Sequence, residues 1–331
     1  MANKKIANKK FGYAILLLAL LAAPFVMYPV LLMKLLCFAL FACAFNLLLG
    51  FTGLLSFGHA SFFGVAAYVC GYALQTMELP LEAGLAAGVL GAAAIGGLMG
   101  LLAVRRQGIY FTMITLALAQ MIYFICLRVP FTHGEDGLQG VPRGKLFGLL
   151  DLSSDLNMYY VTLAIVVLGF ALIVRIVHSP FGQVLKAIKE NEPRAISLGY
   201  DVAKYKLLAF VLSAGLAGLA GATKTVVLGF ATLTDVDWTM SGLVVLMTLV
   251  GGLGTMLGPV LGAVIVIALE SRLGDLGAFL ANSTGIEWFN ALGESSSIVT
   301  GFIFVICVLA FRRGIVGEIS AWLGRTPIKS A

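Results

Sequence analysis

The sequence predicts an all-α integral membrane protein, a polytopic bundle of about ten transmembrane helices. Three observations predict it. The 331 residues are 60% hydrophobic and 11% charged, against about 45–50% and about 25% in an ordinary soluble domain, and mean hydropathy is +1.01. Apolar runs recur along the chain at about the 20 residues a span requires. Lys and Arg cluster in alternate connections between those runs, as the positive-inside rule demands. No long polar stretch breaks the pattern, so residues 1–331 read as one transmembrane domain.

The spans are expected at 11–33, 35–50, 54–76, 82–104, 108–127, 158–177, 206–229, 238–256, 258–271 and 296–311. The run from Phe11 follows Lys4, Lys5, Lys9 and Lys10 and is too long for a signal-peptide core, so it reads as a retained first helix with its N-terminus inside. Segment 54–76 carries Ser56, His59 and Ser61, and segment 258–271 is short. Either one reads as a span or as a re-entrant piece shielded by protein, which puts the total between about eight and ten.

Alternating the spans from an inside N-terminus puts 16 of the 22 Lys and Arg on the inner side, with Arg105, Arg106, Lys186, Lys189, Arg194, Lys204, Lys206, Arg312 and Arg313 among them. The outer side keeps Lys34, Arg128, Arg143, Lys145, Lys224 and Arg272. The net charge of +6 is therefore an inner-face anchor rather than a nucleic-acid footprint. The C-terminus is also placed inside. Two polar connections stand out, an outer one over 128–157 and an inner one over 178–204.

Catalytic and metal motifs are absent from the sequence. The three His (His59, His133, His178) do not stand at zinc-ligand spacing, and no Walker A or other nucleotide-binding motif occurs, so no metal and no cofactor are expected on this chain. Cys37, Cys43, Cys70, Cys126 and Cys307 lie in apolar runs and read as small buried hydrophobes. Every acid falls at a helix end or in a loop, leaving no proton relay of the kind an ion-coupled carrier needs. Lys224 is placed near the outer interface, where snorkelling is the default reading and a pathway role the alternative.

The inner connection is the most informative stretch. Val184, Leu185 and Ile188 form one helical stripe, with Lys186 and Lys189 off it. Pro193 suits the first turn of a second short helix, and Gly199 suits its end. The pattern is either an interfacial amphipathic loop or a docking knob for a soluble partner. Elsewhere, Ala214, Gly218 and Ala222, with Ala217 and Gly221, repeat at four-residue spacing, a helix-packing seam. The glycines Gly251, Gly252, Gly254, Gly258 and Gly262 permit a tight turn and close contact.

Four stretches resemble the permeases of branched-chain amino acid ABC transporters. The inner connection has Ser179-Pro180, Gly182, Leu185, Ala187-Ile188, Glu190-Asn191-Glu192, Ala195, Leu198-Gly199, Val202, Tyr205-Lys206-Leu207 and Ala209-Phe210 in the family's order. Residues 46–64, 132–142 and 250–262 resemble its N-proximal signature, outer loop and C-proximal glycine turn. The order of the matches and the large outer loop resemble the LivM-like subunit.

The resemblance implies a type II ABC importer-like permease in the bacterial inner membrane that moves branched-chain or related amino acids. It implies a second, LivH-like permease, two cytoplasmic ATPases that hold ATP and Mg, and a periplasmic substrate-binding protein as partners. Glu190, Asn191, Glu192, Arg194, Ala195, Leu198 and Gly199 would couple to the ATPase. Asn46, Ser56, Gly58, His59 and Ser61 are pathway or gating candidates, with packing as their alternative. Glu135, Asp136 and Arg143 are candidates for contact with the binding protein. The rival readings are an ion-coupled secondary transporter and a passive channel for small polar solutes.

Overall fold

A computed structural model describes residues 20–148, 150–284, 301–302, 305 and 314–322, with the backbone alone for 273–284 and 319–322. The expected span at 296–311, the N-terminal lysines, and Arg312, Arg313, Arg325 and Lys329 lie outside the described residues, apart from the few positions just named.

Eleven helices are described: α1 (Pro29–Thr52), α2 (His59–Gln75), α3 (Leu81–Ala103), α4 (Ile109–Arg128), α5 (Asp155–His178), α6 (Pro180–Glu190), α7 (Glu192–Ser197), α8 (Val202–Leu228), α9 (Trp238–Gly251), α10 (Gly258–Thr284) and α11 (Gly314–Trp322). Among the described residues, α1, α3, α4, α5 and α8 are long and apolar enough to cross a membrane. The protein is therefore a helical membrane protein. The tally of about ten spans rests on apolar runs, and several of those runs form shorter or differently bounded helices.

The first boundary moves. The expected break at Lys34 does not exist, and α1 runs through it from Pro29. The interruption lies earlier, at a 3-10 turn over Ala23–Phe25. Pro24 and Pro29 cause it, because proline lacks the N–H an interior helical position donates and fits the first turn instead. Lys34 stays inside the helix with its ammonium 6.0 Å from the Phe38 ring.

Two further boundaries differ. Segment 54–76 becomes helical only at His59, after the non-helical stretch Gly53–Gly58. Segment 258–271 is the start of a 27-residue helix that continues to Thr284. The charges at Glu270 and Arg272 end the apolar run but not the helix, because exposed side chains there keep their charges in water.

Helix α1 is the centre of the bundle. It is apolar on all sides and buried along nearly its whole length, and α8, α5, α10, α9 and α6 pack around it. A helix without a polar face can be accommodated only this way or in lipid. Helix α8 packs against α1, α2 and α3 through small residues. A Cβ on Gly218 would lie 2.4 Å from the Ala92 Cβ, and one on Gly221 would lie 2.0 Å from the Phe63 carbonyl oxygen. The seam read from four-residue spacing is thus a two-sided contact. Gly218 faces α3 and Gly221 faces α2.

Helices α6 and α7 project as a knob at one end of the bundle. At the opposite end the 128–157 connection is not a free loop. Its strand β1 (Leu138–Gln139) pairs antiparallel with β4 (Phe230–Ala231), with Leu138 opposite Ala231. A second hairpin joins β2 (Lys145–Leu146) to β3 (Leu150–Asp151).

The seam generates a direct test. Gly221→Ala forces a methyl into the Phe63 backbone and should destabilise the protein by about 1–3 kcal/mol or more. Gly97→Ala, whose Cβ would meet nothing nearer than 3.9 Å, should be neutral or slightly stabilising. Melting temperatures of the two purified variants in one detergent check the contrast.

Candidate functional site

The chain leaves α1 at Gly53, whose φ of 79° closes the helix, and re-enters the bundle without helical hydrogen bonds until His59. Non-helical backbone among apolar helices is tolerated only when protein groups satisfy it. Here hydroxyls do so. Thr112 of α4 donates to the Leu55 carbonyl at 2.9 Å, and the Phe57 N–H donates to Thr115 Oγ1 at 3.2 Å. Ser241 of α9 donates to the Phe57 carbonyl at 2.8 Å and accepts the Ala60 N–H at 2.9 Å. Ser56 Oγ accepts the Gly58 N–H at 3.1 Å.

The depth of this junction follows from α1. Ser213 of α8 donates to the Ala44 carbonyl at 2.6 Å and lies 2.8 Å from His59 Nε2. Ala44 is eight residues, or about 12 Å, from the end of α1. Helix α2 therefore begins well inside the bundle. The Ser213 hydroxyl has one proton, which goes to Ala44 O, so His59 must donate its Nε2 hydrogen to Ser213. That fixes the tautomer and leaves Nδ1 as an acceptor, which has no hydrogen-bond partner. The ring is fully buried and held edge-on to Phe45 at 4.9 Å and Phe62 at 5.5 Å. Ser61 Oγ is also buried without a partner.

Asn46 sits on α1 two positions beyond Ala44 and clamps the glycine turn between α9 and α10. Its amide accepts the Gly254 N–H at 3.0 Å and donates to the Thr255 carbonyl at 2.9 Å. The turn is as tight as its glycines imply: a Cβ on Gly262 would lie 1.8 Å from Met247 O, and one on Gly251 1.9 Å from Gly258 O. Ser56, Gly58, His59 and Ser61 are thus gathered at the re-entrant junction while Asn46 holds the neighbouring glycine turn, and all five are buried. Sequence reading missed Thr112, Thr115, Ser213 and Ser241. They are scattered through three apolar helices, and only the fold brings them to the same segment.

The knob is built as two capped helices. Ser179 Oγ accepts the Gly182 N–H at the start of α6, Asn191 Oδ1 accepts the Arg194 N–H at the start of α7, and Gly199 turns the chain at a φ of 87°. Ile188, Ala195 and Val202 make a small core of their own. Lys206 is buried and paired with Glu192 at 2.6 Å, while Glu190 and Arg194 stay exposed. Ile196 and Leu198 are 57% and 68% exposed. Lys189 donates to the Gly50 carbonyl at 2.8 Å, where the last turn of α1 concentrates its negative dipole. The Lys186 ammonium lies 5.8 Å from the Phe51 ring. Asp201 caps α8, and its hydrogen bonds with Lys204 hold its carboxyl below the usual range.

At the opposite end, Arg143 is engaged within the chain. It pairs with Asp155 at 2.6 Å and donates to the Val227 carbonyl at 3.2 Å, which ties the connection to the end of α8. Glu135 and Asp136 are exposed. Lys224 corrects the snorkelling reading. It is 5% exposed, reaches Asp235 at 2.7 and 2.8 Å and lies 4.9 Å from the Phe230 ring. Asp235 also accepts the Thr232 N–H and hydroxyl, each at 3.1 Å. The loop that carries Asp235 folds back against Gly64, so a loop acid reaches a buried lysine. Among the described residues, no cluster of His, Cys, Asp and Glu could hold a metal ion.

Residues 27–308 match the protein family described as "Branched-chain amino acid transport system / permease component". The chain is 27% identical over 257 residues to the "High-affinity branched-chain amino acid transport system permease protein LivM" of Escherichia coli (strain K12), covering 71% of this chain and 60% of that one. The protein of the same description from Salmonella typhimurium gives the same identity and coverage. The match thus spans about three-fifths of the length of these two curated relatives. The solved structure "PsaBC from Streptococcus pneumoniae in complex with Fab" aligns at a TM-score of 0.40 and 16% identity, over 88% of this chain and 95% of that one.

The buried pair generates a stability prediction. Asp235→Asn strands the Lys224 charge and should cost about 3–5 kcal/mol. The double variant Lys224→Met with Asp235→Leu should recover most of that. The yield of monodisperse protein and its melting temperature read both effects.

Proposed function

We propose a function from one premise: this chain belongs to the branched-chain amino acid transport permease family. As a member it is a membrane transport permease of an ABC system, not an enzyme. On our reading it forms one half of the translocation pathway for branched-chain or related amino acids in the bacterial inner membrane. A second, LivH-like permease supplies the other half. Two cytoplasmic ATPases bind ATP and Mg, and a periplasmic binding protein delivers the solute, meeting this chain near Glu135 and Asp136. The knob end is then cytoplasmic, with both termini on that side.

The observation that carries this reading is the knob. A loop that merely lay on a membrane would need no capped helices, private core or buried ion pair. This one presents Ile196 and Leu198 outward on a frame fixed from within. Ala195 and Glu192 belong to the frame, whereas Glu190, Arg194, Ile196 and Leu198 are the docking surface. Force applied to the knob has two routes into the bundle. Lys189 pulls on the end of α1, and the Glu192–Lys206 pair pulls on α8. Both helices hold the re-entrant junction, through Ala44 and Ser213, so a stroke at the knob would shift the junction and the α9–α10 turn that Asn46 clamps.

The double substitution Ile196→Asp with Leu198→Asp should abolish co-purification of the ATPase while the permease still inserts and folds, and retained co-purification would sink the docking claim. Lys189→Met should keep the ATPase bound but uncouple it, so that hydrolysis continues while flux falls. Flux that survives removal of the ATPase and collapses with an uncoupler would instead identify an ion-driven carrier. The ligand of the paired binding protein, measured by calorimetry, fixes the substrate.

A further inference from the structure

Helices α3, α4 and α5 are the outer members of the bundle, with only a minority of their apolar residues buried within the chain. The outward side chains along α3 and α5 are those lipid accepts, such as Leu90 and Leu98 on α3 and Leu168 and Leu172 on α5. Helix α4 presents Met113, Met121 and Phe124 in the same way, but Gln120 stands on the same helical face as Met113 and Phe124. Gln120 lies eleven residues after Ile109, about 16 Å along a helix about 30 Å long. Its side chain is partly exposed and makes no hydrogen bond within the described residues. A primary amide has two donors and an acceptor with two lone pairs, and hydrocarbon satisfies none of them.

A second observation is an open cleft at the start of the same helix. The first turn of α4 forms one wall of an open cleft of about 430 Å³, with Gly53, Leu54 and Leu55 of the re-entrant segment opposite and Thr112 at its edge. Gln120 is eight residues, or about 12 Å, further along the helix than Thr112. The polar residues read from sequence as pathway candidates, Asn46, Ser56, His59 and Ser61, are instead buried inside the chain.

We propose that the outward face of α4 is a wall of the solute pathway, and that Gln120 is its mid-span polar contact, hydrogen-bonding the ammonium or carboxylate of the amino acid in transit. The inference rests on the permease reading above. The amide suits a zwitterion because it offers a donor to the carboxylate and an acceptor to the ammonium without the cost of a buried charge.

The test is cysteine accessibility in the assembled transporter in membrane vesicles. Gln120→Cys is probed with a charged, membrane-impermeant methanethiosulfonate, with Leu168→Cys and Leu98→Cys as lipid-facing controls and the wild-type chain as the blank. We expect Gln120→Cys to react at least about tenfold faster than either control, and more slowly in the presence of leucine. Reaction no faster than the controls overturns the proposal, as does a disulfide to the second permease in place of labelling, which would make Gln120 a helix–helix contact. Gln120→Leu should lower leucine flux by about tenfold, the scale of one lost hydrogen bond to a charged group, with ATPase co-purification unchanged; unchanged flux counts against the proposal. Gln120→Glu should still assemble, because water solvates its carboxylate, and failure to assemble also counts against it. Labelling requires no transport. A wild-type complex that moves no branched-chain amino acid therefore defeats the substrate reading and leaves the labelling result standing.

Discussion

The structure depends on one constraint, the need to satisfy backbone polar groups where lipid and apolar side chains offer nothing. The chain breaks its helix at Gly53 and does not resume one until His59, so the intervening carbonyls and N–H groups must find partners. Four hydroxyls on three different elements supply them: Ser56, Thr112, Thr115 and Ser241. Ser241 has the central place, since it binds on both sides of the helix start, at Phe57 O and at the Ala60 N–H. These bonds set how α4 and α9 sit against α2. They also explain why polar residues of no individual distinction are needed in otherwise apolar helices.

Helix α1 carries that constraint to the rest of the bundle. Within seven residues it contacts three separate features: Ser213 and His59 through Ala44, the glycine turn through Asn46, and the knob through Gly50. Each contact is polar and lies on a helix otherwise packed through Leu, Phe, Ala and Cys. The hydrophobic effect is non-directional, whereas a hydrogen bond in a medium without water ties one named group to another and adds to the register that close packing sets. The knob end is thereby joined to the junction by directed contacts, which is the mechanical link that the proposed coupling needs.

Charges are handled differently at the two ends. The knob holds Lys189 and Lys206 against a helix terminus and Glu192, and leaves Glu190, Arg194 and Lys204 in water. At the far end the Lys224–Asp235 pair is buried and additionally held by Thr232. A buried ion pair is a weak source of net stability. Its effect here is positional: it fixes the fold-back of the 229–237 connection, and with β1–β4 pairing and Arg143 it converts that end from loops into a built cap.

Much of this was legible in the sequence. Apolar runs longer than a bilayer is thick can be satisfied only by spanning or by complete burial, so the class of fold followed from composition. The second short helix of the 178–204 connection followed from local chemistry, because Pro193 and Gly199 act on their own neighbours, whereas the Ser179 and Asn191 caps came from the structure. The seam on α8 was visible because small residues at four-residue spacing have one geometric meaning. Other features were decided by the tertiary structure. Nothing local tells Lys224 that a loop acid will return to it, or tells Thr112, Thr115, Ser213 and Ser241 that they will meet one non-helical segment. Nor does a run of apolar residues reveal that Gly53–Gly58 turns inward rather than continuing a span, or that Gln120 faces outward while Asn46 faces in. The reason is the same in each case. Periodicity reports which residues share a face of one helix, and partners that arrive from elsewhere in the chain are fixed only when the helices pack.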